Sequence, residues 1–367
     1  MKKAVCLIFC LVLISNLTPV RAYDISAKAA VVINGETGEI LYSLNCNERL
    51  PMASTTKIMT ALLLCELCGD LTKEVTATRE AVTVEGSSMG LEAGDTVSYH
   101  DLLYGMMLSS GNDAANTAAI SLAGSLNSFA DIMNERAESM GLKDTHFVTP
   151  SGLDAEGHYT TAYELALIAK TALQNPDFAN AASAETARLK YGNPPYLRTL
   201  TNHNKLLKAN DDIVGVKTGY TKKAGRCLVS ASKKDGKFVI AVTLNDRNDW
   251  ADHRYLLDLG LSLVTAKQFS YPNGKIEFMC ANGDILQADV PSASVCVSQN
   301  SKITYVIKAP RILYLPISKN QKLGEICYYS GEDLICSKDI LANENKEYKS
   351  NKYILFFEIF KQILSSV

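Results

Sequence analysis

The chain has 367 residues, is 47% hydrophobic and 21% charged, and carries a formal net charge of −2. Such a composition is globular and suffices for one large domain and a smaller one. It argues against nucleic acid as the partner, because neutralising phosphates takes clustered Lys and Arg and no long basic run is present, so a small, locally recognised substrate fits better.

Residues 1–22 open on Lys2 and Lys3, run apolar from Ala4 to Leu17, and close on Pro19-Val20-Arg21-Ala22, with small residues at the positions a signal peptidase reads. This segment reads as a cleaved secretion signal. The alternative is an uncleaved anchor, although the apolar run is shorter than the ~20 residues of a membrane span. Either reading places the bulk of the chain outside the cytoplasm. Ten cysteines occur, Cys6 and Cys10 within that segment and Cys46, Cys65, Cys68, Cys227, Cys280, Cys296, Cys327 and Cys336 beyond it. Cys65 and Cys68 form a lone C-x-x-C on an apolar helix without nearby histidines, which favours buried thiols over zinc. Pairing among the four carboxy-terminal cysteines is left open.

Ala29–Ile33 and Glu39–Tyr42, turning at Asn34-Gly35, predict a β-hairpin. Ser54 then opens a largely buried helix carrying Ile58, Met59, Ala61, Leu62, Leu63 and Leu64 and ending at Gly69. Further helical spacings at Leu102–Met107, Ala114–Ile120 and Tyr163–Leu173 predict a helical layer. Strands return at Gly215–Lys217, Cys227–Ala231 and Phe238–Leu244, the last two joined at Asp235-Gly236, so the sheet is antiparallel. Asp246–Ser262 reads as a helix covering one sheet face. Past Pro272, short runs at Ile276–Cys280, Ile285–Val290, Ile303–Ile307 and Ile312–Pro316 read as a separate small all-β module. Finally Phe356, Ile359, Phe360, Ile363, Leu364 and Val367 share one helical face. They predict an amphipathic helix that lies on a membrane surface, favoured by Lys346, Lys349 and Lys352, with docking on the β module as the alternative. The expected division is a signal at 1–22, a catalytic domain at 23–265, a small all-β domain at 268–341 and an amphipathic membrane-associating helix at 346–367.

Three short strings carry the chemistry. In Ser54-Thr55-Thr56-Lys57 the hydroxyl and amine stand one helical turn apart on one face, within bonding reach. A serine is a poor nucleophile until a base takes its proton, and a lysine serves only if burial and a nearby positive charge lower its pKa. Ser110-Gly111-Asn112 lies between two helices. There Ser110 is expected to relay a proton between Lys57 and a leaving amine while the Asn112 amide supports the lysine and the substrate backbone; a plain N-cap at Asn112 or Asp113 is compatible with that. Lys217-Thr218-Gly219 lies on an edge-like strand, with Lys217 and Thr218 placed to hold a carboxylate and Gly219 clearing room for a substrate strand. The backbone N–H groups of Ser54 and Tyr220 are the expected oxyanion hole. His158 and His203 lack metal-ligand spacing and read as loop hydrogen-bonders.

In this order and setting the three strings resemble the penicilloyl serine transferases. Ala53–Thr60, Ser109–Ala115, Pro150–Asp154, Asn202–Leu207 and Gly215–Val229 resemble, within that group, the low-molecular-mass penicillin-binding proteins that are D-alanyl-D-alanine carboxypeptidases, serine peptidase family S11. The resemblance spans roughly residues 25–265. It implies an α/β (α+β) transpeptidase-like fold of an antiparallel sheet with a helical insertion, followed by a small all-β domain. It also implies removal of the terminal D-alanine from peptidoglycan stem peptides through a Ser54 acyl-enzyme, and inhibition by β-lactams. By position Ser54 is then the nucleophile, Lys57 the proton acceptor, Ser110 the relay and Lys217 the carboxylate binder, with no metal or organic cofactor. Tyr220 stands where many members carry histidine, and Thr149 where they carry asparagine. Arg247 matches only loosely a residue that assists the carboxylate. The rivals are a β-lactamase, which needs a carboxylate to activate its deacylating water and for which Tyr163-Glu164-Leu165-Ala166 has the wrong surroundings, and a protein that traps β-lactams or peptidoglycan without turnover.

Overall fold

The computed structural model describes residues 23–299 and 301–347. Residues 1–22, read as a signal, and the stretch 348–367 of the expected terminal helix lie outside them.

The chain enters through strand β1 (Ala29–Asn34) and β2 (Ile40–Leu44), the hairpin expected around Asn34. A 3-10 turn at Ala53–Thr56 runs into helix α1 (Lys57–Leu67). The helical layer follows: β3 (Glu74–Thr76), α2 (Arg79–Val82), β4 (Thr96–Ser98), α3 (Tyr99–Met107), α4 (Asn112–Ala123), α5 (Leu126–Ser139), α6 (Ala162–Ala172) and α7 (Pro176–Ser183). Next come β5 (Thr186–Gly192) and β6 (Pro195–Thr201), then β7 (Ile213–Thr221), β8 (Gly225–Lys234), β9 (Lys237–Leu244) and α8 (Asp249–Leu263).

The main sheet has the order β2-β1-β9-β8-β7, antiparallel throughout, with β7 at its edge. Both of its faces are covered, which explains why β1 reads as an unbroken apolar run with all six residues buried. Val31, Ile33, Val229, Ile240 and Val242 face the helical layer, while Ala30, Val32, Leu228, Val239 and Ala241 face α8 with Leu256 and Leu257. Gly260 lets α8 press on that face, since a Cβ there would stand 2.7 Å from Val32 Cγ1. α1 is apolar all round: eight of its residues, from Lys57 to Leu64, are buried, so it threads the centre of the helical layer.

Helices α5 and α7 and the hairpin β5–β6 go beyond the elements read from sequence. α5 and α7 are short amphipathic pieces capped by Ser125 and Asn175. In the hairpin, β5 does alternate, with Leu189 and Tyr191 buried and Arg188 and Lys190 exposed, but its apolar positions are few and β6 is mostly exposed, so the signal is short and weak.

Beyond α8, strand β10 (Val264–Phe269) pairs with β13 (Ala293–Ser298), and β11 (Lys275–Cys280), β12 (Ile285–Asp289), β14 (Ile303–Lys308), β15 (Ile312–Leu313), β16 (Lys322–Ser330) and β17 (Asp333–Leu341) complete a β module with its own apolar core. Lys346 is fastened to this module by backbone bonds to Ile317 and an ion pair with Asp284 at 3.4 Å, so it is not a free cation for a membrane surface. Glu36 and Asn34 reach across to the backbone of Cys296 at 2.6 and 3.0 Å, tying module to main sheet. All eight cysteines among the described residues are free thiols, and among those residues no helix is long and apolar enough to cross a membrane.

Candidate active site

The turn that opens α1 is built by its own side chains. Thr55 Oγ1 donates to Met52 O at 2.5 Å and Thr56 Oγ1 to Ala53 O at 2.8 Å, so the two threonines bond back onto the carbonyls three residues earlier and tighten the turn. Ala53, just before Ser54, adopts the left-handed region with φ 49°, a conformation that costs a β-carbon residue and that persists only where surroundings enforce it. The enforcing contact is Gly152. Its φ is +83°, and a Cβ on it would lie 2.1 Å from Ala53 O. Gly152→Ala therefore either displaces the turn under Ser54 or unfolds it. The expected stability loss is at least about 2 kcal/mol, read from the urea midpoint.

Lys57 is fully buried, and its Nζ sits 3.0 Å from Ser54 Oγ, 2.7 Å from Asn112 Oδ1 and 2.6 Å from Ser151 O. The last two partners are carbonyl oxygens that only accept, whereas the Ser54 hydroxyl both donates and accepts. A neutral amine satisfies this set completely: its two N–H groups go to Asn112 and Ser151, and its lone pair meets the Ser54 O–H. Burial, followed by the charge of Lys217, holds the Lys57 amine well below the ordinary lysine range, with Asp113 opposing. Both conditions inferred from the sequence are thus present.

Asn112 begins α4, as read from the sequence, but the N-cap position is Gly111 and no side chain caps there. The Asn112 amide instead bridges Lys57 and Glu85 O, donating to the latter at 2.6 Å. Ser110 adopts φ +57°, is buried, and borders the cleft with Ser54. The turn is locked by Asp113, whose carboxylate accepts from Met89, Leu91 and Gly90 N–H and from Ser88 Oγ at 2.6–3.0 Å. Thr149 closes the loop that presents Ser151: it accepts from Gly152 N–H at 3.1 Å and donates to Leu153 O at 3.3 Å. It serves this loop.

Across the cleft, Lys217 is 1% exposed on β7, and burial pulls its amine down to about 7. Its Nζ donates to Thr218 O at 3.0 Å. A Cβ at Gly219 would lie 3.0 Å from Ser54 N and 3.1 Å from Met52 O, tighter than ordinary contact, so a side chain there would press on the backbone that opens α1. The edge strand thereby brings its backbone against the opening of α1, and Tyr220 is exposed beyond it. The depressed Lys217 has a thermodynamic signature. Between about pH 7 and the unfolded value near 10.5, the unfolded chain binds the proton that the folded chain has released, so stability rises with pH at up to about 1.4 kcal/mol per unit. Lys217→Met is expected to flatten that contribution in denaturant titrations across pH 7–10.

The three strings thus converge on one cleft of about 350 Å³, lined by Ser54, Ser110, Thr218, Gly219 and Tyr220. Sequence reasoning missed Ser87, Asp249 and Trp250 along its wall, and gave no place in the cleft to His203, Lys205 and Arg226, which lie in strings it had singled out. It also missed the Ser151 carbonyl, since a main-chain acceptor leaves no mark in residue identity. His203 lies in the Asn202–Leu207 string already singled out, and partial burial and Lys217 hold its imidazole below the usual value. His158 is a structural hydrogen-bonder: its Nδ1 accepts from Val148 N–H at 2.9 Å, so Nε2 carries the proton towards Thr56 Oγ1, 2.8 Å away, and burial keeps the ring neutral with a pKa of about 4. Arg247 is exposed and is not among the cleft residues.

Glu164 is fully engaged elsewhere. Buried on α6, it accepts from Lys143 and Asp144 N–H at 2.8–3.1 Å and from Thr145 Oγ1 at 2.5 Å. It holds the 143–145 loop, which leaves it no oxygen for a hydrolytic water.

A helical layer on an antiparallel sheet, with serine, lysine and an edge-strand Lys-Thr-Gly meeting at their seam, is the architecture of the penicillin-binding proteins. The chain is similar to penicillin binding protein 5 from Haemophilus influenzae in fold (TM-score 0.65, 23% identity, 90% of this chain and 100% of that one). It is also similar to the D-alanyl-D-alanine carboxypeptidase DacD from Francisella tularensis (TM-score 0.63, 25% identity, 89% and 95%). In sequence it is 32% identical over 354 residues to the D-alanyl-D-alanine carboxypeptidase DacF of Bacillus subtilis, covering 90% of this chain and 88% of that relative. The D-alanyl-D-alanine carboxypeptidase family model matches residues 16–248, and the chain belongs to that family.

Proposed function

We propose that the protein removes the terminal D-alanine from peptidoglycan stem pentapeptides through an acyl-enzyme on Ser54, outside the cytoplasmic membrane. The observation that carries the reading is the buried Lys57 amine, 3.0 Å from Ser54 Oγ with two obligate acceptors on its remaining sides. Ser54 Oγ attacks the carbonyl of the penultimate D-alanine while its proton passes to Lys57. The oxyanion meets the N–H groups of Ser54 and Tyr220. Ser110 passes the proton to the departing amine, the C–N bond breaks and D-alanine leaves. Water then hydrolyses the ester. Lys217 and Thr218 hold the substrate carboxylate, and Gly219 admits the peptide beside β7. β-Lactams acylate the same serine. The apolar face read at Phe356–Val367 associates the enzyme with the membrane surface.

Incubation with diacetyl-L-Lys-D-Ala-D-Ala is expected to release one D-alanine per peptide, with little turnover of penicillin. Rapid penicillin hydrolysis would instead mark a β-lactamase. Stoichiometric acylation without D-alanine release would mark a trap. The engagement of Glu164 with the 143–145 loop already disfavours the β-lactamase.

A further inference from the structure

Resting on the Ser54 acyl-enzyme of the proposed reaction, we infer that His158 is a positioning residue for acylation: it holds the Ser151 loop at a fixed separation from the Ser54–Lys57 turn, and so keeps the Lys57 amine aimed at Ser54 Oγ. The residue is 6% exposed and does not line the cleft. Two segments meet at its ring. On one side Nδ1 accepts from Val148 N–H at 2.9 Å, which secures the start of the loop that carries Ser151 and Gly152. On the other, Nε2–H donates to Thr56 Oγ1 at 2.8 Å, inside the reactive string between Ser54 and Lys57. The Thr56 hydroxyl passes the link on, donating at 2.8 Å to the carbonyl of Ala53, the strained residue just before the nucleophile. The bonds therefore run in one direction from loop to turn. Val148 N–H only donates and Ala53 O only accepts, so the relay needs a neutral ring with its proton on Nε2. Burial supplies that neutrality, and Phe147 sets the ring plane by an edge contact at 6.0 Å between centroids.

The two segments that the relay joins are the two that hold the base. Lys57 Nζ donates to Ser151 O at 2.6 Å on the loop and meets Ser54 Oγ at 3.0 Å on the turn. A relative shift of loop and turn breaks one of these contacts, and a buried N–H left without its acceptor draws the side chain away from the serine. Thr60 gives a further tie, donating to Pro150 O at 2.6 Å. It lies on α1 beyond the string, however, whereas His158 bonds within it.

The test measures acylation by a chromogenic cephalosporin, and D-alanine release from diacetyl-L-Lys-D-Ala-D-Ala, in wild type, His158→Phe, His158→Gln and His253→Phe. Phenylalanine keeps an aromatic ring against Phe147 but carries no polar atom, whereas glutamine presents one acceptor and one donor as the imidazole does. His253 is the comparison: also buried, it bonds Ser230 and Thr243 of the main sheet, away from the relay. His158→Phe is expected to lower the acylation rate constant about 10- to 100-fold while binding of the cephalosporin before acylation stays within about threefold. On the peptide the same variant should lose kcat with KM nearly unchanged. His158→Gln should keep at least about a third of the wild-type rate. His253→Phe should lower the urea midpoint as His158→Phe does, yet acylate within about twofold of wild type under conditions where both are folded. A rate in His158→Phe within about threefold of wild type, an equal loss in His158→Gln or a matching loss in His253→Phe would each overturn the assignment. Should His158→Phe fail to fold, Thr56→Val removes the hydroxyl that joins ring to turn at nearly constant volume. It should show the same fall in rate with binding unchanged, and an unaltered rate there overturns the relay. A wild type that is acylated but releases no D-alanine would remove the carboxypeptidase reading and leave the positioning result to stand on acylation alone.

Discussion

Ser54→Ala is expected to abolish both D-alanine release and penicillin labelling, with kcat falling on the order of 10⁴- to 10⁶-fold. The fold should survive, because Ser54 contributes a single hydroxyl to the turn while Thr55 and Thr56 hold its carbonyls. Mass spectrometry after incubation with labelled penicillin decides the matter. The native chain should gain one label within the peptide containing Ser54 and the variant none. A label on any other residue would remove the mechanism. The loss should equal nearly the whole catalytic effect, since a serine and its base act as a unit and not as separable contributions.

Lys57→Ala is expected to cost about 10²- to 10⁴-fold in acylation rate, the range for a positioned general base, and the double variant with Ser54→Ala should be no worse than Ser54→Ala alone. The pH profile carries the sharper information. The free amine is the working form, so acylation should fall on the acid side as Lys57 takes up a proton, at a pH well below the ordinary lysine range. Lys217 contributes to that depression by charge repulsion, so Lys217→Gln should move the acid limb of the remaining activity towards higher pH. Stopped-flow acylation with a chromogenic cephalosporin across pH 5–10 measures both. An acid limb that stays put in Lys217→Gln would mean burial alone sets the amine. A profile without an acid limb would deprive Lys57 of its role as base.

Much of this site was legible before any coordinates. Ser54 and Lys57 are three apart in a helical pattern, and that spacing dictates their proximity whatever the rest of the chain does. The apolar run from Ile58 to Leu64 likewise dictated burial of the amine. The antiparallel sheet followed from short apolar runs and the Asp235-Gly236 turn, because hairpins are local. The β module was readable for the same reason, though β13, β16 and β17 were not singled out. Segments 1–22 and 348–367 were read from hydropathy and periodicity alone.

Local pattern determined which residues carry chemistry and which elements present them: the serine at a helix opening, the lysine one turn on, the glycine on an edge strand. Tertiary structure decided what surrounds them. It alone placed the Ser151 carbonyl and the Asn112 amide on Lys57, set Gly152 beneath Ala53 and Gly219 against Ser54, committed Glu164 to a loop, and brought Arg226 and Asp249 from different elements to one wall of the cleft. Spacing along a helix or across a hairpin fixes contacts within a few residues. A contact between residues 94 apart, such as Lys57 with Ser151, exists only once a shared core has brought their elements together, and its main-chain partner has no side chain through which a sequence could announce it.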